Sequence, residues 1–115
     1  MTCYYNLHMT DQEDKLIQKF RSLLSQELQA GFQLIIFGSR ARGNADSDSD
    51  LDILVITKEK RTAYLRDFVS RCAWEAGFEF DIIVSSILVS QEDWETGPQN
   101  SSLLALAVER DGVSV

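Results

Sequence analysis

Phe32-Gln33-Leu34-Ile35-Ile36-Phe37-Gly38-Ser39-Arg40-Ala41-Arg42-Gly43 and, a few residues on, Ser49-Asp50-Leu51-Asp52-Ile53-Leu54-Val55-Ile56 carry most of what this sequence says about its fold. Each stretch holds a short apolar run rich in branched and aromatic residues, the composition of a buried strand. The first strand, Phe32 to Phe37, is closed by Gly38. The second, Leu51 to Thr57, admits a carboxylate, Asp52, near its start. Between them lies a polar segment with Gly38 and Gly43, Arg40 and Arg42, and Asp46, Asp48 and Asp50.

Working outward, Thr10 to Ala30 reads as a helix. Thr10 and Glu13 have the spacing of a capping box, Leu16, Ile17, Phe20, Leu23, Leu24 and Leu28 form one apolar face, and Gly31 is a stop. Downstream, Thr62 to Ala76 reads as a second helix ended by Gly77. Phe78 to Ser85 reads as a third strand with Asp81 inside it. Ser90 to Glu95 suits a short capped helix, Gly97-Pro98 breaks the chain, and Ser101 to Arg110 suits a last helix followed by a tail or short strand. This order predicts one sheet with helices packed on it, in the α/β or α+β class, and 1–115 as a single domain.

The segment after the first strand has the chemistry of a phosphate site. Gly38 allows a sharp turn and close approach of a ligand. Ser39 offers a hydroxyl, a helical turn starting here would offer free N–H groups, and Arg40 and Arg42 supply positive charge. Asp50 and Asp52 are two residues apart, so in a strand they share one face while Leu51 points to the core. Two carboxylates so placed repel each other, and a divalent cation relieves that; magnesium favours oxygen ligands of this kind. Asp46 and Asp48 read as turn and cap residues. If the third strand neighbours the second, Asp81 becomes a third carboxylate, and a two-metal phosphoryl or nucleotidyl transfer fits the set.

Composition narrows the remaining classes. The net charge of −7 opposes binding to nucleic acid polyanions, so no direct nucleic-acid role is expected, while a basic protein partner is permitted. No apolar run approaches the ~20 residues of a membrane span, and Met1 to Met9 has no signal-peptide pattern. Cys3 and Cys72 share no motif and read as free thiols of a reducing, cytoplasmic compartment. His8, the one histidine, is read as a terminal residue without a catalytic role. Trp74 and Trp94 are read as core or interface residues, and the acidic C-terminal half as a solvated face.

Gly38-Ser39, the two arginines, a spacer of about a dozen residues and Asp50-Leu51-Asp52 together resemble the nucleotidyltransferases related to DNA polymerase beta, and among them the minimal nucleotidyltransferases of prokaryotes. The likeness is strongest over 34–56 and runs collinearly through Asp81 to the C-terminus. It implies a mixed β-sheet flanked by helices. It implies that Asp50 and Asp52 bind two Mg2+ ions, that Asp81 joins one of them and helps activate an acceptor hydroxyl, and that Gly38 and Ser39 hold the β- and γ-phosphates of ATP. Arg40 and Arg42 either touch phosphate or pair with the acidic loop. The family also implies a partner, a helical HEPN-type toxin whose tyrosine receives AMP, with this chain as the antitoxin in a hetero-oligomer. Two other functions stand beside that one: transfer to a small molecule of the aminoglycoside type, and a non-catalytic antitoxin that neutralises by contact alone.

Overall fold

The computed structural model describes residues 9–42, 50–97 and 102–115. His8, Cys3, Asp46, Asp48, Pro98 and Ser101, and the side chain of Arg42, lie outside the described residues. The chain begins with α1 (Asp11–Leu24), then β1 (Phe32–Phe37), a single helical turn α2 (Ser39–Arg42), β2 (Leu51–Thr57), α3 (Ala63–Phe80), β3 (Val84–Ser90), α4 (Gln91–Thr96), α5 (Leu103–Asp111) and β4 (Val113–Ser114). The strands form one mixed sheet in the order β3-β2-β1-β4. β1 runs antiparallel to β2 and β4, whereas β2 and β3 are parallel, with Leu51 opposite Val84 and Asp52 opposite Ser85.

The period-two alternation of the strands divides the core. Leu34 and Ile36 of β1 and Leu51, Ile53 and Val55 of β2 face α1 and α3, where they meet Leu16, Phe20, Leu24, Phe68, Val69 and Cys72. Ile35, Phe37, Leu54, Ile56 and Val89 face the other way, toward Val108 of α5 and Trp94 of α4. The expected mixed sheet flanked by helices is therefore present, as three layers with the sheet in the middle.

The expected capping box is formed: Glu13 N–H donates to Thr10 Oγ1 at 3.1 Å, and Thr10 N–H to Glu13 Oε1 at 2.8 Å. The helix it starts ends earlier than expected, at Leu24, and turns carry Leu28 back into the core before Gly31. Trp94 packs on the second core as expected, but Trp74 lies in the open.

The main correction concerns the third strand. Gly77 does not stop α3, and the strand begins at Val84, not Phe78. A Cβ on Gly77 would lie 2.2 Å from the Ile82 carbonyl oxygen and 3.2 Å from Val84 Cγ2, so this glycine is where the returning chain crosses close to the helix. The helix ends four residues later, at Asp81, in the left-handed conformation (φ 56°, ψ 39°). Its N–H and that of Ile82 cap the carbonyls of Phe78 and Gly77.

Candidate active site

The antiparallel register of β1 and β2 sets Phe37 opposite Asp52, so the turn that leaves β1 runs beside the residues that start β2. Gly38 adopts φ +82°, a conformation that disfavours side chains. Its missing side chain is filled by a carboxylate: a Cβ built on Gly38 would stand 2.3 Å from Asp52 Oδ2 and 3.3 Å from Asp52 Cγ. Ser39 then opens α2. The carboxylate expected to hold metal thus rests directly against the glycine expected to cradle phosphate.

Asp52 shares its face of the sheet with Leu54 and Ile56 but, unlike them, remains partly exposed, and Asp50 before it is exposed. Burial pushes the Asp52 carboxyl above its ordinary value, and the charge of Asp50 adds to the shift. A carboxylate whose charge is opposed by burial and by a like-charged neighbour suits a divalent cation, which removes the repulsion and accepts oxygen ligands. Asp50 and Asp52 therefore fit magnesium as a pair.

Asp81 stands differently from expectation. It caps α3 instead of extending β3, because α3 remains helical through Phe80. It lies at the same end of the sheet as Gly38 and Asp50, three residues before the start of β3. The structure does not gather it with Asp50 and Asp52: among the described residues no three His, Cys, Asp or Glu side chains could hold one metal ion.

Arg40 has a partner that the sequence did not suggest. Its guanidinium is buried and donates from Nη1 to Glu13 Oε2 at 2.7 Å. One buried carboxylate thus caps α1 through Oε1 and anchors α2 through Oε2. Ala41, on the same turn, packs into the larger core. Arg40 is in this way a residue that fixes the turn after Gly38 to α1. Glu13 is the positioning residue that motif reading missed, since its capping-box spacing already accounted for it.

Comparison with known proteins bears on the family. The family described as "Nucleotidyltransferase domain" matches residues 15–102, which include every described residue named above as metal- or phosphate-binding. A protein of Methanocaldococcus jannaschii named "Putative protein adenylyltransferase MJ0141" is 32% identical over 75 residues, covering 64% of this chain and 76% of that protein. A second from the same organism, "Putative protein adenylyltransferase MJ1305", is 36% identical over 86 residues, or 70% of this chain, which spans only 54% of that relative. Among solved structures, one described as "Crystal structure of the toxin-antitoxin with AMP-PNP" superposes with a TM-score of 0.55 over 91% of this chain and 72% of its own, at 19% identity, a likeness of fold. With the family matched over residues 15–102 and a relative 32% identical across 76% of its own length, this chain belongs to the nucleotidyltransferase family.

Proposed function

We propose that residues 1–115 act as one cytoplasmic domain that transfers AMP from ATP to a hydroxyl of a partner protein, a tyrosine of a HEPN-type toxin, and so serves as its antitoxin. The observation that carries this reading is the contact of the Asp52 carboxylate with Gly38. It joins a carboxylate pair to a backbone turn suited to phosphate. The names of the relatives support protein as the acceptor, and the neighbour with AMP-PNP supports an adenine nucleotide in a toxin–antitoxin setting.

Asp50 and Asp52 are assigned to two Mg2+ ions, which when bound neutralise the triphosphate and hold its reacting oxygens. Gly38 lets the chain approach the β- and γ-phosphates, and Ser39 offers its hydroxyl and the first N–H groups of α2 to them. Arg40 holds that turn in place from below through Glu13. Arg42, on the last residue of the same turn, is assigned to phosphate. The acceptor oxygen attacks the α-phosphorus, the bond to pyrophosphate breaks, and the hydroxyl proton passes to a carboxylate. Asp81 is exposed at this end of the sheet and is the group we assign to that proton, whether or not it also touches a metal ion.

The test is incubation with ATP, Mg2+ and the helical partner, read by intact-protein mass. The partner should gain one adenylyl group. Asp50→Ala and Asp52→Ala should each abolish the gain, whereas Asp81→Asn, which keeps a residue tolerant of the left-handed cap, should slow it at least a hundredfold, the order expected for loss of a general base. Full transfer by the Asp50/Asp52 double variant would refute the site, and full transfer by Asp81→Asn would remove Asp81 from it.

A further inference from the structure

α3 has a second seam, facing away from the core. Tyr64, Asp67, Arg71, Trp74 and Phe78 follow at intervals of three, four, three and four residues, and all are exposed. That is the repeat of a helix that packs along another helix. Trp74 is 67%, Phe78 73% and Tyr64 61% exposed, and the Trp74 and Phe78 rings stack at 5.0 Å. The Tyr64 hydroxyl donates to Glu27 Oε1, which fixes its ring. Large rings ordered along one open stripe mark an interaction surface.

Charge says what fits this stripe. From Lys58 to Arg71 the chain carries Lys58, Lys60, Arg61, Arg66 and Arg71 against Glu59 and Asp67, a net +3. From Cys72 to Asp81 it carries Glu75, Glu79 and Asp81 and no cation, a net −3. Two charges reach α3 from α1 and the turns after it, Lys19 on Glu79 and Glu27 on Tyr64, and they reduce the halves equally, to −2 and +2. Asp67 meets Arg66 of its own helix at 3.8 Å, a long ion pair. A uniformly basic or uniformly acidic partner is repelled by one half of the stripe. A parallel copy sets like charge against like, whereas an antiparallel copy sets each half against its opposite.

We propose that the outward face of α3 is the seam of a symmetric homodimer, in which the helices of two copies pack antiparallel about a two-fold axis. Such an interface is self-complementary, so each contact is made twice. The two charged seam positions set the register: Asp67 of each copy opposes Arg71 of the other. Three residues further out on either side, the same register places Tyr64 against Trp74, so ring meets ring at both ends of the charged pairs. Phe78 then reaches the Lys60 and Arg61 segment of the other copy, where a cation can lie over its ring. Charged residues inside an apolar seam cost stability and fix one pairing over its alternatives. The seam uses no residue assigned to nucleotide, metal or acceptor, so it stands apart from the proposed function.

Sedimentation equilibrium of the full chain from about 1 to about 300 μM should show a reversible dimer with Kd of about 10 μM. Trp74→Ala should weaken it about tenfold or more. Arg71→Asp and Asp67→Arg each set like charges together twice, and each should weaken it about tenfold or more. The double reversal, Asp67→Arg with Arg71→Asp, exchanges the partners of both pairs and should return Kd to within about threefold of the parent. Because the double variant carries both changes, its recovery also shows that neither single variant failed to fold. A chain that stays monomeric through the whole range, whether or not another protein covers the face, would overturn the proposal. So would single reversals that dimerise like the parent, or a double reversal that dimerises no better than the singles.

Discussion

Gly38→Ala tests the geometry of the site with one methyl group. The added Cβ would stand 2.3 Å from Asp52 Oδ2, more than an ångström inside ordinary contact, and the backbone is held at φ +82°. A side chain in this left-handed region costs roughly 1–2 kcal/mol. Swinging the Asp52 carboxylate clear of its staggered position adds about 1 kcal/mol. The sum, about 2–3 kcal/mol, corresponds to a fall in Tm of about 10 °C for a chain of this size. The carboxylate is also displaced from the turn, so adenylyl transfer should fall at least a hundredfold, the order seen when reacting groups are misplaced by an ångström. Thermal denaturation by circular dichroism gives the first number and product mass the second. The same substitution in an Asp52→Ala background removes the collision and leaves only the backbone strain, so its effect on stability should shrink by about 1 kcal/mol. If Gly38→Ala melts within a degree of the parent and retains full activity, or if its effect is the same in both backgrounds, Asp52 does not rest on Gly38 and the site is misassigned.

Three further outcomes follow from the same structure. Glu13→Ala takes its carboxylate from the buried Arg40 and should destabilise by about 3 kcal/mol in urea unfolding, whereas Glu13→Met with Arg40→Met should recover most of that loss. Because the raised pKa of Asp52 means that the native state holds its proton more tightly than the unfolded chain, stability of the metal-free protein should decline as pH rises from the ordinary value of 3.8 through the raised one. Asp52→Asn should flatten that decline and raise Tm at neutral pH by ~2 °C, and Mg2+ affinity measured by calorimetry should weaken as pH falls through the same window. Burial and the charge of Glu75 push the Cys72 thiol up to about 11 from its ordinary 9.0, so in a Cys3→Ser background at pH 8 iodoacetamide should label it about a hundredfold more slowly in the native than in the unfolded protein.

What the sequence revealed was set by how many physical demands each residue meets locally. β1 and β2 matched expectation residue for residue, because runs such as Leu34-Ile35-Ile36 and Ile53-Leu54-Val55 are apolar on both faces and only a central strand buries both. Gly38 and Asp52 were legible for the opposite reason: each breaks the rule of its surroundings, and such breaks mark sites. The segment Phe78-Glu79-Phe80-Asp81 was ambiguous because it satisfies two periods. Its alternation suits a strand, and yet Phe80 also continues the α3 stripe of Phe68, Val69, Cys72, Ala73 and Ala76, packing against the same core. Helical packing won, and the strand moved six residues onward. The pairing of Arg40 with Glu13 spans 27 residues and leaves no local trace.

That shift of β3 bears on function. The parallel register sets Leu51 opposite Val84, so each residue by which α3 is extended shortens the start of β3 beside Asp50. The helix end, the left-handed Asp81 and the exposed Ile83 are one adjustment made at the mouth of the site, not three. A helix end of this kind is held by few bonds: the Asp81 and Ile82 N–H groups on Phe78 and Gly77, and the Gln12 amide, which donates to the Phe80 carbonyl at 3.4 Å. Glu79 is tied to Lys19 of α1 at the surface, where an ion pair contributes little. Asp52 thus sits on the well-buried β2 with Asp50 directly before it, while Asp81, proposed for the acceptor proton, sits on a turn with few hydrogen bonds. The proposed chemistry therefore assigns metal to residues that begin a buried strand, and the acceptor to the part of the fold with the fewest bonds.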